Sequence, residues 1–99
     1  QRTTAVFCCA DIYAIGAINC IKDFNLKVPD DFSVSSIDDI ILARYTDPTI
    51  TTVKIDKGEI GKKAINLLID KINGLPVSRI TIKPDQLMIR ESTKKYDES

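Results

Sequence analysis

Apolar residues along this chain switch repeatedly between two periods. Compact runs rich in β-branched and other apolar residues fill positions 4–9 and 50–55, and a further strand candidate, 32–37, is weakened by the polar run Ser35-Ser36. Between and after them, apolar residues recur at steps of three and four, which predicts helices over 11–25 and 57–73. Positions 28–31, Val-Pro-Asp-Asp, read as a turn. Positions 39–45 read as a short helix that Asp47-Pro48 ends. Two more runs, 79–82 and 86–90, read as strands on either side of Lys83-Pro84-Asp85. This alternation predicts an α/β fold, a mainly parallel sheet with flanking helices.

The long helix has clear ends. Asp56 suits the N-cap, and Glu59 stands three residues later, as in a capping box. Ile60, Ala64, Leu67, Leu68 and Ile72 share one face, while Glu59, Lys62, Lys63, Asn66, Asp70 and Asn73 form a solvent face. Gly74 and Pro76 stop it. The first helix is less tidy. Tyr13, Ala14, Ala17, Ile18, Ile21 and Phe24 fill a broad arc expected to lie on the sheet, and Gly16, Asn19, Lys22 and Asp23 form a polar arc. Ile12 and Ile15 fall outside the apolar arc, on the side expected to face water. Such surplus calls for cover, either from the same domain or from a partner subunit.

Composition narrows the chemistry. Ninety-nine residues fit one domain at most, and a net charge of +0 provides no field for nucleic acid or membranes. There is no histidine, which excludes His-based acid–base work, Ser-His and Cys-His pairs and the common zinc sites. Cys8, Cys9 and Cys20 are odd in number and lack a C-x-x-C spacing; they read as buried free thiols of a reducing compartment. No apolar run approaches the ~18 residues of a membrane helix, and the opening residues are not a secretory signal. The glycines build no phosphate loop, and no cofactor is expected. Asp38-Asp39 alone offers too few ligands for a divalent cation. Asp11 and Asp38 each follow a strand, where ligands of open α/β sheets collect. A carboxylate there can accept from two neighbouring hydroxyls, as on a sugar or ribose. Asp11 reads first as a helix-start residue, and Asp38 either as a turn residue or as that acceptor.

Six motifs in order then carry a resemblance. They are Ala5-Val6-Phe7-Cys8 with Asp11-x-x-Ala14-x-Gly16-Ala17, Val28-Pro29-Asp30-Asp31-Phe32-Ser33-Val34, Asp38-Asp39, Pro48-x-Ile50-Thr51-Thr52-Val53, Gly61-x-x-Ala64 and Leu87-x-Ile89-Arg90-x-Ser92. Together they resemble LacI/GalR-type transcriptional regulators over 4–93. The resemblance implies a fragment, about the final third, of an effector-binding domain of the periplasmic-binding-protein type I fold. In that fold two α/β lobes close on a ligand. Residues 4–93 would be the C-terminal portion of the effector-binding and dimerisation domain, with 94–99 a frayed tail.

By the same resemblance Asp38 and Ala10 would border the pocket for a small-molecule effector, a sugar or nucleoside. Ile12 and Ile15, with Ile41, Leu42 and Tyr45, would form the interface of a homo-oligomer. DNA would be contacted only through an N-terminal headpiece that is not in this chain, and the setting would be cytoplasmic, away from membranes. A fragment of a solute-binding protein of a sugar transporter is the alternative. The long helix would belong to the first lobe, so the isolated chain is expected to self-associate to cover it. Two places depart from the family pattern: Ser36-Ile37 replace glycine and an aromatic, and Ala10 replaces a polar residue.

Overall fold

The computed structural model describes residues 3–97. Its elements follow the chain as β1 (Ala5–Cys8), α1 (Asp11–Asp23), β2 (Ser33–Asp38), a 3-10 turn (Ile41–Arg44), β3 (Thr51–Lys54), α2 (Lys57–Ile72) and β4 (Gln86–Met88). The four strands form one sheet in the order β1-β2-β3-β4. β1, β2 and β3 run parallel, in register from Ala5 opposite Ser33 and from Ser35 opposite Thr51. β4 joins the edge of β3 antiparallel, with Lys54 opposite Gln86. The α/β expectation holds, as a mixed sheet with two helices.

α1 packs on one face of this sheet. Ala14, Ile18, Val34, Ala43 and Ile50 are buried there, with Cys8, Ile15, Ile21 and Val28 against them. The helix is rolled relative to the wheel expected from its apolar residues. Tyr13 and Phe24, expected on the sheet, are 62% and 72% exposed. Ile15, expected toward water, packs on the core. The physical reason is Asp11, which is fully buried. Its carboxylate accepts from Ser36 Oγ at 2.5 Å, Thr52 Oγ1 at 2.6 Å and the Ile40 amide at 2.8 Å. The buried stripe therefore runs Asp11, Ala14, Ile18. Leaving a buried carboxylate unbonded costs far more than leaving an aromatic ring half in water.

Two other expectations are corrected. Residues 79–82 form no strand, and Ile80 is exposed. A β-rich run needs a partner edge, and residues 86–88 take the one that β3 offers. Of the three thiols only Cys8 is partly buried, while Cys9 and Cys20 are exposed. The last two residues of the expected tail, 98–99, lie outside the described residues. Before them, the Lys94 amide donates to Ser33 Oγ at 3.1 Å.

α2 forms as its caps dictate. The Glu59 amide donates to Asp56 Oδ1 at 2.9 Å. At the other end Leu75 N bonds Asp70 O at 2.9 Å and Gly74 N bonds Lys71 O at 3.1 Å. This is a Schellman closure, with Gly74 at φ +75° supplying the left-handed residue. Yet none of its residues is buried, and Ile60, Ile65, Leu68, Ile69 and Ile72 are exposed. The molecule measures 59 × 26 × 19 Å, with a radius of gyration of 17.8 Å. A compact chain of this size would have about 13 Å. α2 is a well-capped helix with no buried residue, its apolar face left largely open among the described residues.

Replacing Asp11 by alanine strips two buried hydroxyls and the half-buried Ile40 amide of their acceptor. Unfolding in urea followed by circular dichroism should show a loss of about 3 kcal/mol or more. A loss under about 1 kcal/mol, the size of one ordinary hydrogen bond, would mean the three bonds do not act together.

Candidate functional site

Parallel strands bring their carboxyl ends to one edge, and here that edge gathers the residues singled out for ligand contact. Ala10 follows β1 and is the extended N-cap residue of α1. Asp38 closes β2, opposite Lys54 at the end of β3. The structure thus places Ala10, two residues past the end of β1, and Asp38, the last residue of β2, at the carboxyl ends of adjacent strands.

The chain turns sharply after β2. Asp38 has φ +148° and Asp39 φ +62°. Non-glycine residues seldom occupy this half of φ space, and each such residue costs on the order of 1–3 kcal/mol unless its surroundings hold it. Three elements hold this turn. The Asp39 amide donates to Thr52 Oγ1 at 3.3 Å, and the Ile40 amide to Asp11 Oδ2 at 2.8 Å. The Asp39 carboxylate accepts from Arg90 Nη2 at 2.8 Å. The two adjacent aspartates therefore differ in surroundings. Asp39 is buried on a guanidinium. Asp38 stands at the rim, 32% exposed, with Lys57 Nζ 3.0 Å from its carboxylate. The same ammonium donates to the Asp38 carbonyl at 2.7 Å.

Lys57 is the first residue of α2 and lines a cleft of about 380 Å³ with Asp39, Arg44, Lys54, Asp56 and Asp85. A larger cavity of about 430 Å³ opens at the amino edge of the sheet, among Thr4, Ser33, Thr93 and Tyr96. It lies at the wrong end of the strands for the Asp38 chemistry. Among the described residues no group of three or more Cys, Asp or Glu could hold a metal ion.

Ser36, where the family pattern has glycine, is buried and spends its hydroxyl on Asp11. The departure thus serves the interior of the sheet rather than the pocket. The run 90–93, of which only Arg90 and Ser92 were noted above for their resemblance, ties the sheet together. Ser92 is fully buried and wedges between β2 and β3. Its Oγ donates to the Val34 carbonyl at 2.5 Å and accepts from the Thr51 amide at 2.9 Å. Thr93 Oγ1 lies 2.7 Å from Thr51 Oγ1. Arg90, Lys57 and the hub role of Asp11 escaped the sequence reading. The one hint was polar residues, Ser36 and Thr52, at inward positions of strands.

The residues expected at a subunit interface lie on α1 (Ile12, Ile15), in the 3-10 turn (Ile41, Leu42) and at its end (Tyr45). Ile12, Ile41, Leu42 and Tyr45 are exposed, and Ile15 is half-buried. The bond from the Ile40 amide to Asp11 brings the start of α1 beside the start of the 3-10 turn. Farther along, Lys22 Nζ donates to the Asp47 carbonyl. A groove of about 210 Å³ runs between them, lined by Ile15, Ile18, Asn19, Lys22, Thr46 and Asp47.

Residues 1–93 match the model of the periplasmic binding protein-like domain family. The chain is 43% identical over 96 residues to the HTH-type transcriptional repressor PurR of Mannheimia succiniciproducens, across 96% of this chain and 29% of the repressor. Its structure resembles a LacI regulator of Bacillus cereus subsp. cytotoxis, with a TM-score of 0.88 at 24% identity, over 98% of this chain and 35% of the other. It also resembles the lac repressor dimer bound to operator and the anti-inducer ONPF. There the TM-score is 0.78 at 30% identity, over 91% of this chain and 32% of the repressor chain. The chain spans about a third or less of these relatives.

Glu91 gives a pH test of the clasp after β4. Its carboxylate accepts from the Thr49 amide at 3.2 Å and Thr49 Oγ1 at 3.0 Å. These bonds, the amide first, hold its pKa below the ordinary 4.5. A carboxylate depressed on folding stabilises the fold above its unfolded pKa, and that contribution fades as pH falls through the folded value. Glu91→Gln should therefore flatten the acid limb of the stability–pH curve below about pH 5 and leave the slope at neutral pH as it was. Denaturant midpoints measured from pH 3 to 7 check this.

Proposed function

The chain belongs to the periplasmic binding protein-like domain family, and on that premise we propose that it is the effector-sensing and dimerisation part of a LacI-type transcriptional regulator. The observation that carries the reading is the Asp38 carboxylate at the carboxyl edge of the parallel strands. It sits beside the cleft that Lys57 lines and is partly open to solvent. There it accepts hydrogen bonds from the hydroxyls of a small effector, a sugar or nucleoside, with Ala10, just beyond the end of the neighbouring strand, as a second contact. Ligand shifts lobe closure, and closure changes how a DNA-reading headpiece elsewhere in the full protein meets its operator. The protein works in the cytoplasm and catalyses no reaction. Its relatives' names, transcriptional repressor and lac repressor, support this reading over a transporter's solute receptor.

The flank of Ile12, Ile15, Ile41, Leu42 and Tyr45 meets the same flank of a second copy. Support comes from the exposed apolar side chains of Ile12, Ile41, Leu42 and Tyr45 and from the dimeric lac repressor among the structural relatives.

Two outcomes follow in the full-length protein. Asp38→Ala should weaken effector binding by roughly 10- to 150-fold, the worth of charge-assisted hydrogen bonds at about 1.5–3 kcal/mol. Isothermal calorimetry reads it, and unchanged affinity with an intact fold removes Asp38 from the pocket. Ile41→Asp should weaken assembly roughly 100-fold or more, because a charge would be buried unpaired. Light scattering across a dilution series reads that, and an unaltered dimer moves the interface elsewhere.

A further inference from the structure

Beneath the turn that carries Asp38 lies an ion pair that effector contact does not itself use. Arg90 Nη2 donates to Asp39 Oδ1 at 2.8 Å, and Nη1 donates to the Ile50 carbonyl at 2.9 Å. The two side chains are 13% and 2% exposed. The Arg90 amide is also fixed, on Thr51 Oγ1 at 2.8 Å. The guanidinium is thus bolted to the start of β3 and reaches from there into the turn after β2.

That turn does not rest in a relaxed conformation. Asp38 and Asp39 are consecutive non-glycine residues at positive φ. The Thr52 and Asp11 bonds reach its backbone amides. Arg90 neutralises its buried charge. Without a cation at that place the Asp39 carboxylate must leave for water, because an unpaired buried charge is too costly to keep. Asp38, one peptide away, would swing with it. A lysine would not substitute fully, since only the planar fork spans a carboxylate and a carbonyl at once.

We propose that Arg90 is a positioning residue of the effector site. It holds the Asp38 carboxylate at the cleft rim through the buried Asp39 carboxylate and touches no ligand itself. The proposal rests on the reading of Asp38 as the effector's hydroxyl acceptor.

Two measurements test it. The first needs no ligand. Hydrogen exchange on the 99-residue chain should show the Asp39 and Ile40 amides opening about tenfold faster in Arg90→Gln, with α1 protected as before. Unchanged exchange at these two amides overturns the proposal. So does a general rise that includes α1, which would make Arg90 a plain stability residue. The second compares wild type, Arg90→Gln, Asp38→Asn and the double variant of the full-length protein by calorimetry. The probes are lactose, cellobiose, D-ribose, adenosine and guanosine. Arg90→Gln should weaken the bound probe about tenfold alone and by less than about twofold in the Asp38→Asn background, because it acts through that carboxylate. Equal losses in both backgrounds, or no loss from Arg90→Gln where Asp38→Asn loses affinity, overturn the positioning role. Full affinity in Asp38→Asn, or no binding of any probe by wild type, overturns instead the effector reading on which it rests.

Discussion

The carboxylate of Asp11 is the constraint on which this fold turns. It is a charge with no solvent exposure, and it is tolerable only because three donors converge on it. Those donors come from β2, from β3 and from the backbone just before the 3-10 turn. One side chain therefore fixes the roll of α1 and the spacing of two strands. It also fixes the path of the chain as it leaves the sheet. Ser36 and Thr52 are the counterpart in the strands: polar residues at inward positions, each aimed at the same oxygen. An apolar core would pack the same volume without specifying which residue of α1 faces the sheet. The carboxylate makes that choice, even though Tyr13 and Phe24 are left in water for it.

This is also why the reading from sequence succeeds where it does. α2 is legible to within a residue because its determinants are local: the Asp56 cap three residues before Glu59, the four-residue steps of its apolar face, and Gly74 at its end. β1 and β3 are legible for the same reason, each a short apolar or β-branched run, and β2 through Val34 and Ile37 despite its serines. What fails is decided at a distance. Asp11 finds partners 25, 29 and 41 positions away. The roll of α1 depends on them, and no helical wheel contains them. Residues 79–82 have strand propensity, but propensity cannot say that β3 has one open edge and that 86–88 fill it. The place of Asp38 at the end of a strand was legible in the sequence. Arg90 was not, because its partner stands 51 positions earlier.

α2 shows the opposite relation between sequence and packing. Its apolar stripe is correctly read, yet none of it is buried within the described residues. Leaving five large aliphatic side chains half in water forgoes about 1.5–3 kcal/mol for each one that could be buried fully. Such a deficit is comparable with the whole stability of a small domain. A helix so well capped and so poorly covered is a part awaiting its other surface. That agrees with a chain spanning less than a third of the length of its repressor relative. The sheet, α1 and the turns between them share a closed core of their own.

Three aspartates near one sheet edge finally show how burial sorts chemically identical groups. Asp11 is neutralised by dipoles alone, Asp39 by a buried guanidinium, and Asp38 by an ammonium that is itself 53% exposed. Breaking either of the first two either strands a charge in the interior, at a cost of several kcal/mol, or forces the carboxylate out to water. The third pair is wet on both sides, and such pairs contribute about 0–1 kcal/mol. Only there can the hydroxyls of an incoming molecule replace the existing partner at little cost. The buried pair beside it supplies the rigidity that an exposed pair lacks. Asp38 can be exchangeable because Asp39 is not, and the two properties have to sit on neighbouring residues for one turn to be both fixed in place and open to a ligand.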